Sequence, residues 1–370
     1  MPNFFSFVDQ LGPAKVIHVH LPAIELQAIL VIDNVALGPS IGGLRIGIDV
    51  GVEECFRLAR AMTLKNALAK LPHGGGKSVL VGDPRMPAAR KQHLIRAFAH
   101  ALRNEGDYIF GPDMGTDETC MAWIKDEIGR SVGLPAALGG IPLDEVGATG
   151  WGLYHAAEVA APHCGLSLDG ARVAIQGFGA VGKHAARFLV AKGARLVAAS
   201  DSEGTLVSPA GIDVEALIEH KNAGHPVASM QGGQGLGQDA IIDVECDIWI
   251  PAARPDVIGE ANVDRLRAKL VLQGANIPFA EDAERRLHSR QVLVLPDFLV
   301  NAGGVICAAF EYRGATHAAA FEAIAERIRA NTQAVLAAAA ARGIAPRAAA
   351  QALAVERVRS AMQTRRFSVY

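Results

Sequence analysis

Two lysines and an aspartate are the residues best placed to do chemistry. Lys77 follows three glycines in His73-Gly74-Gly75-Gly76-Lys77-Ser78, and Lys65 precedes it in Met62-Thr63-Leu64-Lys65-Asn66. A single lysine is ordinarily a solvated surface charge. Here the glycines allow a sharp turn that brings substrate against backbone and presents Lys77 from a fixed position. Of two such ammonium groups, one can grip a carboxylate, and the other, if desolvated, can serve in acid/base work. Asp113, in Gly111-Pro112-Asp113-Met114-Gly115, has the setting of a turn former. Its other use is to shuttle a proton beside the lysines. The same glycines invite a P-loop reading. That motif needs a glycine where Leu71 stands and a helix after Ser78, where VLVGDP reads as a strand. Nucleoside triphosphate binding is rejected here.

A second constellation is Gly177, Gly179 and Gly182, in GxGxxG spacing across Gly177-Phe178-Gly179-Ala180-Val181-Gly182. In a chain with 39 glycines that spacing alone is weak. Its context is stronger: a strand at 172–176 precedes it, a helix at 181–192 follows, capped by Gly193, and a strand at 195–200 ends at Asp201. The first glycine permits the tight turn, the second lets backbone approach a pyrophosphate, and the third lets helix pack on strand. The helix N-terminus offers unpaired N–H groups to the phosphates. Asp201 can accept both ribose hydroxyls and repel a 2′-phosphate, which points to NAD over NADP. The competing reading is a glycine turn that binds nothing.

These residues need a scaffold. The chain has 370 residues, half of them hydrophobic, 20% charged, with a formal net charge of -2. That length suggests two domains, with three possible. The charge balance argues against disorder, a nucleic-acid-binding stripe or a polybasic membrane surface. Charges such as Glu25 and Asp33 interrupt every apolar run before the ~18 residues a membrane span needs. MPNFFSFVDQ has no basic segment ahead of an apolar stretch, so no secretory signal is expected. Cys55, Cys120, Cys164, Cys246 and Cys307 show no metal-ligand spacing, so no metal is expected. They fit buried free thiols in a reducing, cytoplasmic setting.

Alternating short β-branched runs and longer helical patterns give an α/β fold class. Residues 15–23 and 28–40 open it as strands, with the second ending in a Gly/Pro turn. Asp49 can cap a helix from Val52 to Pro72. SVLVGDP follows as strand and turn, then a helix through 94–106 with Gly106 as its C-cap. Residues 133–150 are Gly- and Pro-rich and read as a hinge. Later strands are CDIWIPAA, KLVLQGA and QVLVLPD, and two Ala-rich helices span 316–342 and 347–363. The expected division is 1–146, then a dinucleotide-binding domain at 147–325, then C-terminal helices at 326–370.

The motifs GPSIGGLR (38–45), MTLKN (62–66), HGGGKSVLVGDP (73–84), GPDMGT (111–116), ATGWG (148–152), GFGAVG (177–182), GANIP (274–278) and LPDFLVNAGGV (295–305) run through most of the chain. In these the sequence resembles the glutamate/leucine/phenylalanine/valine dehydrogenases. The resemblance implies an N-terminal α/β substrate and oligomerisation domain, a Rossmann-type NAD(P)-binding domain, and C-terminal helices returning to the first domain. It implies a homo-oligomer with its active site in the cleft. It also implies reversible NAD(P)-linked oxidative deamination of an L-amino acid to its 2-oxo acid and ammonia. By matching position, Lys77 would activate water for attack on the imine, Asp113 would exchange its proton, and Lys65 would hold the substrate carboxylate. Gly43 would lie beside the substrate, with Ile41, Gly111, Val305 and Ala308 around its side chain. Thr149, Ala252, Ala253, Asn276 and Asn301, with Asp201 and the segment Gly177–Gly182, would line the cofactor.

Substrate choice departs from the glutamate branch of that family. Glutamate-specific members carry a lysine where this chain has Ile41 and a serine where it has Ala308. Without them a second substrate carboxylate would be buried unpaired, at heavy cost. The expectation is therefore an apolar, branched-chain or aromatic substrate, as in leucine and phenylalanine dehydrogenases, with NAD as cofactor. Gly111 and Ala308 are smaller than their leucine-type counterparts, which leaves room for a bulky side chain. ATGWG and residues 148–205 look more like the glutamate branch. A glutamate dehydrogenase taking its second carboxylate partner from elsewhere, for instance Arg45, is one alternative. A catalytically silent NAD-binding relative is another; retention of Lys65, Lys77 and Asp113 together argues against it.

Overall fold

The computed structural model describes residues 5–365; of the stretch read for a secretory signal, residues 1–4 lie outside the described residues. The chain forms two compact units.

The first unit begins with β1 (Lys15–Leu21), β2 (Leu26–Asn34), β3 (Ser40–Gly47), α1 (Val52–Leu68), β4 (Gly74–Val81), α2 (Ala88–Ala101), β5 (Tyr108–Pro112) and α3 (Glu118–Ile128). Its sheet has the order β1-β2-β4-β3-β5. β3 lies parallel to both β4 and β5, while β2 joins β4 antiparallel. Leu30, Ile32, Leu44, Leu80, Phe98 and Phe110 fill its core, giving the sheet and helices one shared apolar interior.

Three local expectations change. α1 starts at Val52, but its N-cap is Gly51 with no side-chain cap bond, so Asp49 does not cap it; Glu53 and Glu54 supply the favourable first-turn charge. α2 ends at Ala101 with Leu102 as C-cap, so Gly106 is not its terminator. The Gly74–Gly76 triplet is no turn either: it is the start of β4. Glycine is required there for contact. A Cβ on Gly74 would lie 1.8 Å from the Asn34 carbonyl oxygen, and one on Gly75 only 2.0 Å from the Thr63 backbone nitrogen.

The second unit contains α4 (Ala148–Ala160), β6 (Arg172–Gln176), α5 (Ala180–Val190), β7 (Arg195–Ser200), β8 (Thr205–Val207), α6 (Val214–Asn222), β9 (Gln234–Leu236), β10 (Ile248–Pro251), β11 (Leu270–Leu272), α7 (Glu281–Ser289), β12 (Leu293–Leu295) and α8 (Asp297–Val300). The order β12-β11-β10-β6-β7-β8-β9 is a parallel, Rossmann-type sheet with an antiparallel edge at β8 and β9. The strands read from sequence at 172–176 and 195–200 are β6 and β7.

The chain ends with α9 (Gly303–Tyr312), α10 (His317–Arg342) and α11 (Pro346–Thr364). Here the expected domain limits need correction. The first unit runs through Leu143, then recovers Val305–Ala320 and the chain from Gln351 onward; the second holds Asp144–Gly304 and Phe321–Ala350. Polar contacts explain the division. Arg329 and Arg347 pair with Glu158, Glu284 and Asp297 inside the second unit. Glu311 and Arg357 instead bond backbone groups of residues 133–141 and 67–71 in the first.

All five cysteines are free; four are buried and Cys164 is half-buried. Among the described residues no helix is long and apolar enough to cross a membrane, and no group of His, Cys, Asp and Glu could hold a metal ion.

Candidate active site

Strand alternation builds the substrate side. Ile41 pairs with Gly75 and Ile109, Gly43 with Gly111, and Leu44 with Ser78 and Pro112. Successive side chains point to opposite faces, so Ile41, Gly43, Arg45, Gly75, Lys77 and Gly111 share one face. Asp113 follows directly on β5. Thr63 of α1 lies against that face at Gly75, and Lys65 in the last turn of α1 is buried.

On this face Lys77 Nζ lies 2.5 Å from Asp113 Oδ2, with both side chains largely buried. Arg45 Nε donates to the same oxygen at 3.0 Å, and Arg45 Nη1 reaches Glu54. The Asp113 backbone N–H donates to Thr116 Oγ1 at 2.9 Å, which fixes the loop after β5. Burial acts against the Asp113 charge, but the Lys77 ammonium and Arg45 guanidinium outweigh it and hold the carboxyl at about 2. Gly43 has to be glycine, because a Cβ there would lie 2.8 Å from the Asp113 Cβ and 3.2 Å from Lys77 Nζ. Ile41 is 3% exposed and Ala308 6% exposed. At Gly111 a Cβ would meet Val132 at 3.6 Å and the Gly42 carbonyl oxygen at 3.8 Å, ordinary contacts that a small side chain could make.

The second unit gathers the cofactor-side residues at the carboxyl ends of its parallel strands, where such sheets bind ligands. Gly177 has a φ of 90°, a conformation that favours glycine, and a Cβ there would lie 2.7 Å from the Ala253 Cα. Gly182 packs on the Gly177 carbonyl oxygen, where a Cβ would approach to 2.0 Å. Gly179, the N-cap of α5, has open space around its Cβ direction. The backbone N–H groups of Gly177 and the buried Phe178 are already spent on the Ser200 carbonyl. Ala180 and Val181 open α5 and leave its N-terminal dipole to an anion. Ala252 follows β10, against Gly274. Asn301 Nδ2 donates to Asn276 Oδ1 at 2.9 Å. Thr149 lies beside Gly303, whose Cβ would stand 2.0 Å from the Ala148 carbonyl oxygen.

Family models decide the identity. One described as Glutamate/Leucine/Phenylalanine/Valine dehydrogenase matches residues 139–366, and one described as Glu/Leu/Phe/Val dehydrogenase, dimerisation domain, matches 13–130. The chain belongs to the Glu/Leu/Phe/Val dehydrogenase family.

Among relatives, the NADP(+)-dependent glutamate dehydrogenase of Pyrobaculum calidifontis is 37% identical over 335 residues, covering 84% of this chain and 79% of its own. The hetero-hexameric glutamate dehydrogenase of Thermus thermophilus, solved in a Leu-bound form, aligns at a TM-score of 0.86 and 29% identity, covering 97% of this chain and 91% of its own. The L-tryptophan dehydrogenase of Nostoc punctiforme aligns at 0.72 and 27% identity, covering 95% and 97%.

As a Glu/Leu/Phe/Val dehydrogenase family member, the chain is an amino acid dehydrogenase that uses a nicotinamide cofactor, and its second unit fits such a group. Gln176 Oε1, Ser200 Oγ and Asn301 Oδ1 are buried and have no hydrogen-bond partner among the described residues. Three such orphans at the sheet's carboxyl side are groups a polar ligand can satisfy.

The expectation for Asp201 needs correction. Its Oδ2 accepts from Lys221 Nζ at 2.6 Å and Val227 N at 2.8 Å; its Oδ1 accepts from Glu203 N at 2.9 Å and Gly204 N at 3.2 Å. Burial pushes its pKa up, but these donors prevail and lower it. Both oxygens are committed to a turn and an ion pair, so Asp201 does not stand open to two ribose hydroxyls, and a cation sits beside it. Arg45, weighed as a partner for a second substrate carboxylate, is bound to Asp113 and Glu54 in this structure.

Sequence reasoning misses several supporting residues. Asp297 accepts the N–H of Ile277, whose φ of 49° is left-handed, and Arg347 from α11 holds Asp297 at 3.0 Å. That chain of contacts sets the backbone next to Asn276. Asp297 lies within the motif LPDFLVNAGGV, but nothing in Arg347's own neighbourhood marks it.

Proposed function

We propose that this chain catalyses reversible NAD(P)-linked oxidative deamination of an L-amino acid to its 2-oxo acid and ammonia. The observation that carries the proposal is the buried Lys77–Asp113 pair at 2.5 Å, set on one face of the first unit's sheet against Gly43. The Lys65 ammonium grips the substrate α-carboxylate as a point charge. A nicotinamide cofactor held by the second unit would supply the acceptor for the hydride of the substrate α-carbon. Water then adds to the resulting imine carbon. Its proton passes to Lys77 Nζ, which has handed its own to Asp113 Oδ2; Lys77 then returns that proton to the amino nitrogen, the C–N bond breaks to release ammonia, and the hydroxyl proton passes to Lys77 as the 2-oxo acid forms. Moving a proton from Nζ to Oδ2 converts the Lys77–Asp113 ion pair into a neutral pair, which removes the Lys77 share of the field holding Asp113 ionised, while Arg45 stays beside the carboxyl. Thr149, Asn276, Asn301 and the Gly177–Gly182 turn would hold the cofactor.

Glutamate is the substrate favoured by the names of the relatives. A specific observation favours a second reading, an apolar amino acid: Ile41 and Ala308 are buried and apolar, and Arg45 is already bound. For the cofactor, the Lys221–Asp201 pair and the named relatives favour admitting NADP beside NAD. The match to a dimerisation domain supports assembly as an oligomer.

One assay tests these readings: formation of NADH and NADPH, in parallel, from glutamate, leucine, phenylalanine and tryptophan. Turnover of glutamate alone removes the apolar reading; turnover of apolar substrates alone removes glutamate. No turnover with any of them overturns the proposal in favour of a silent cofactor-binding relative.

A further inference from the structure

The pocket candidates Val305 and Ala308 lie on α9, and so does Glu311, which no step of the chemistry uses. Their spacing of three places all three along one stripe of the helix. Glu311 is 8% exposed and forms no ion pair among the described residues. Its carboxylate is satisfied by backbone alone: Oε1 accepts from Gly133 N at 2.9 Å and Leu134 N at 3.1 Å, and Oε2 from Ile141 N at 2.9 Å. Burying a charge without a counter-ion is expensive, and three convergent N–H donors are what make it tolerable.

The segment so gripped is itself attached to the strand that delivers Gly111 and Asp113. Phe110 N donates to the Arg130 carbonyl at 3.1 Å, and Val132 N donates to the Phe110 carbonyl at 2.8 Å. Gly133 has a φ of 73° and packs on Pro112, where a Cβ would lie 2.6 Å from the proline ring. Val132 is also the side chain nearest Gly111, 3.6 Å from where its Cβ would stand. Glu311 therefore spans from the stripe carrying Val305 and Ala308 to the segment bound along the end of β5.

We infer that Glu311 is a positioning residue for substrate selection: by fixing α9 to residues 133–141 it sets the separation of Val305 and Ala308 from Gly111, and with it the side-chain length the pocket accepts. The inference rests on the amino acid dehydrogenase reading and deepens it.

Glu311→Gln tests it. The amide keeps the shape but turns an N–H₂ toward N–H donors, so at least one of the three bonds is lost. The expected result is a KM for the preferred amino acid raised about tenfold, with kcat and the dissociation constant of NADPH or NADH kept within about twofold. The ratio of kcat/KM between glutamate and phenylalanine should shift by about fivefold or more. A folded variant with that ratio and KM unchanged, or with only kcat reduced, overturns the inference. Should Glu311→Gln fail to fold, Glu311→Asp, which keeps the charge on a shorter arm, is measured in the same way, and the same results support or overturn the inference. If the native protein turns over no amino acid, the functional reading fails by itself. Calorimetric affinities of glutamate, phenylalanine and their 2-oxo acids for native and variant protein then decide the positioning claim, and absence of any binding removes both.

Discussion

At the residue scale the substrate side depends on charges held where water is scarce. Lys77, Asp113 and Arg45 form a cluster with one acid between two bases, and Gly43 leaves the space that lets them meet. Lys77→Ala should abolish nearly all turnover, a loss of about a hundredfold or more, with cofactor affinity retained. Near-normal kcat in a folded variant would remove the role. Asp113 has a folded-state pKa of about 2, below its ordinary 3.8. Its ionised form thus contributes stability that is fully present above pH ~4 and lost as pH falls through ~2, amounting to roughly 2 kcal/mol. Asp113→Asn should lack that part of the acid dependence, so acid-unfolding curves of native and variant protein should converge between those limits. Parallel curves would contradict it. Substrate selection is also a residue-scale question. Ile41→Lys combined with Ala308→Ser supplies the two polar partners a distal carboxylate needs. Glutamate kcat/KM should rise about tenfold or more over native, and that for phenylalanine should fall. A double variant with unchanged discrimination would place the selecting groups elsewhere.

At the element scale, close backbone approach does what side-chain chemistry cannot. β4 and α1 carry the two lysines, and they touch where Gly75 meets Thr63. A Cβ at Gly75 would lie 2.0 Å from backbone that has no rotamer to escape with. Gly75→Ala should therefore destabilise by about 2–4 kcal/mol, lower the thermal midpoint by about 5–10 °C, and depress kcat/KM because both lysine supports move. A thermal midpoint within about 1 °C of native would mean the contact yields more easily than the geometry allows. The same contact shows where legibility in the sequence ends. The triplet is visible as a mark of chemistry, but a turn and a tightly packed strand demand glycine alike, and only the partner across the space tells them apart. Strands 172–176 and 195–200 are legible because a parallel strand buried on both faces is a continuous apolar run. Asp201 is legible in its place but not in its freedom: Lys221, the donor that occupies it, is distant in sequence and carries no local signal.

At the scale of the whole molecule, the chain is divided differently from its linear order. The Rossmann-type unit and the lysine-bearing unit each contain separate stretches, and the final helices are shared out between them. Local periodicity gives those helices but not their owners, since the polar contacts that assign them, such as Arg357 to residues 67 and 71, span 290 and 286 residues of sequence. Their placement ties α11 to the end of α1 in the first unit. Arg357 donates to the Ala67 and Leu71 carbonyls, just past Lys65 at the end of α1, and Ala354 and Val358 of the same helix are fully buried. Removing residues 351–370 would leave those carbonyls without their cationic donor and strip apolar cover from the first unit, while every residue of the second unit stays in place. The truncated chain should bind NADPH or NADH with affinity within a few fold of native and yet lose turnover by about a hundredfold. Arg357→Ala alone, costing about 1 kcal/mol through its lost hydrogen bonds, should reproduce the direction of the effect as a raised KM for the amino acid. Cofactor titration by fluorescence alongside turnover separates the outcomes. Loss of both activities together would mean that the second unit depends on the first for its fold, and retention of full turnover would mean that the last helix plays no part in holding Lys65.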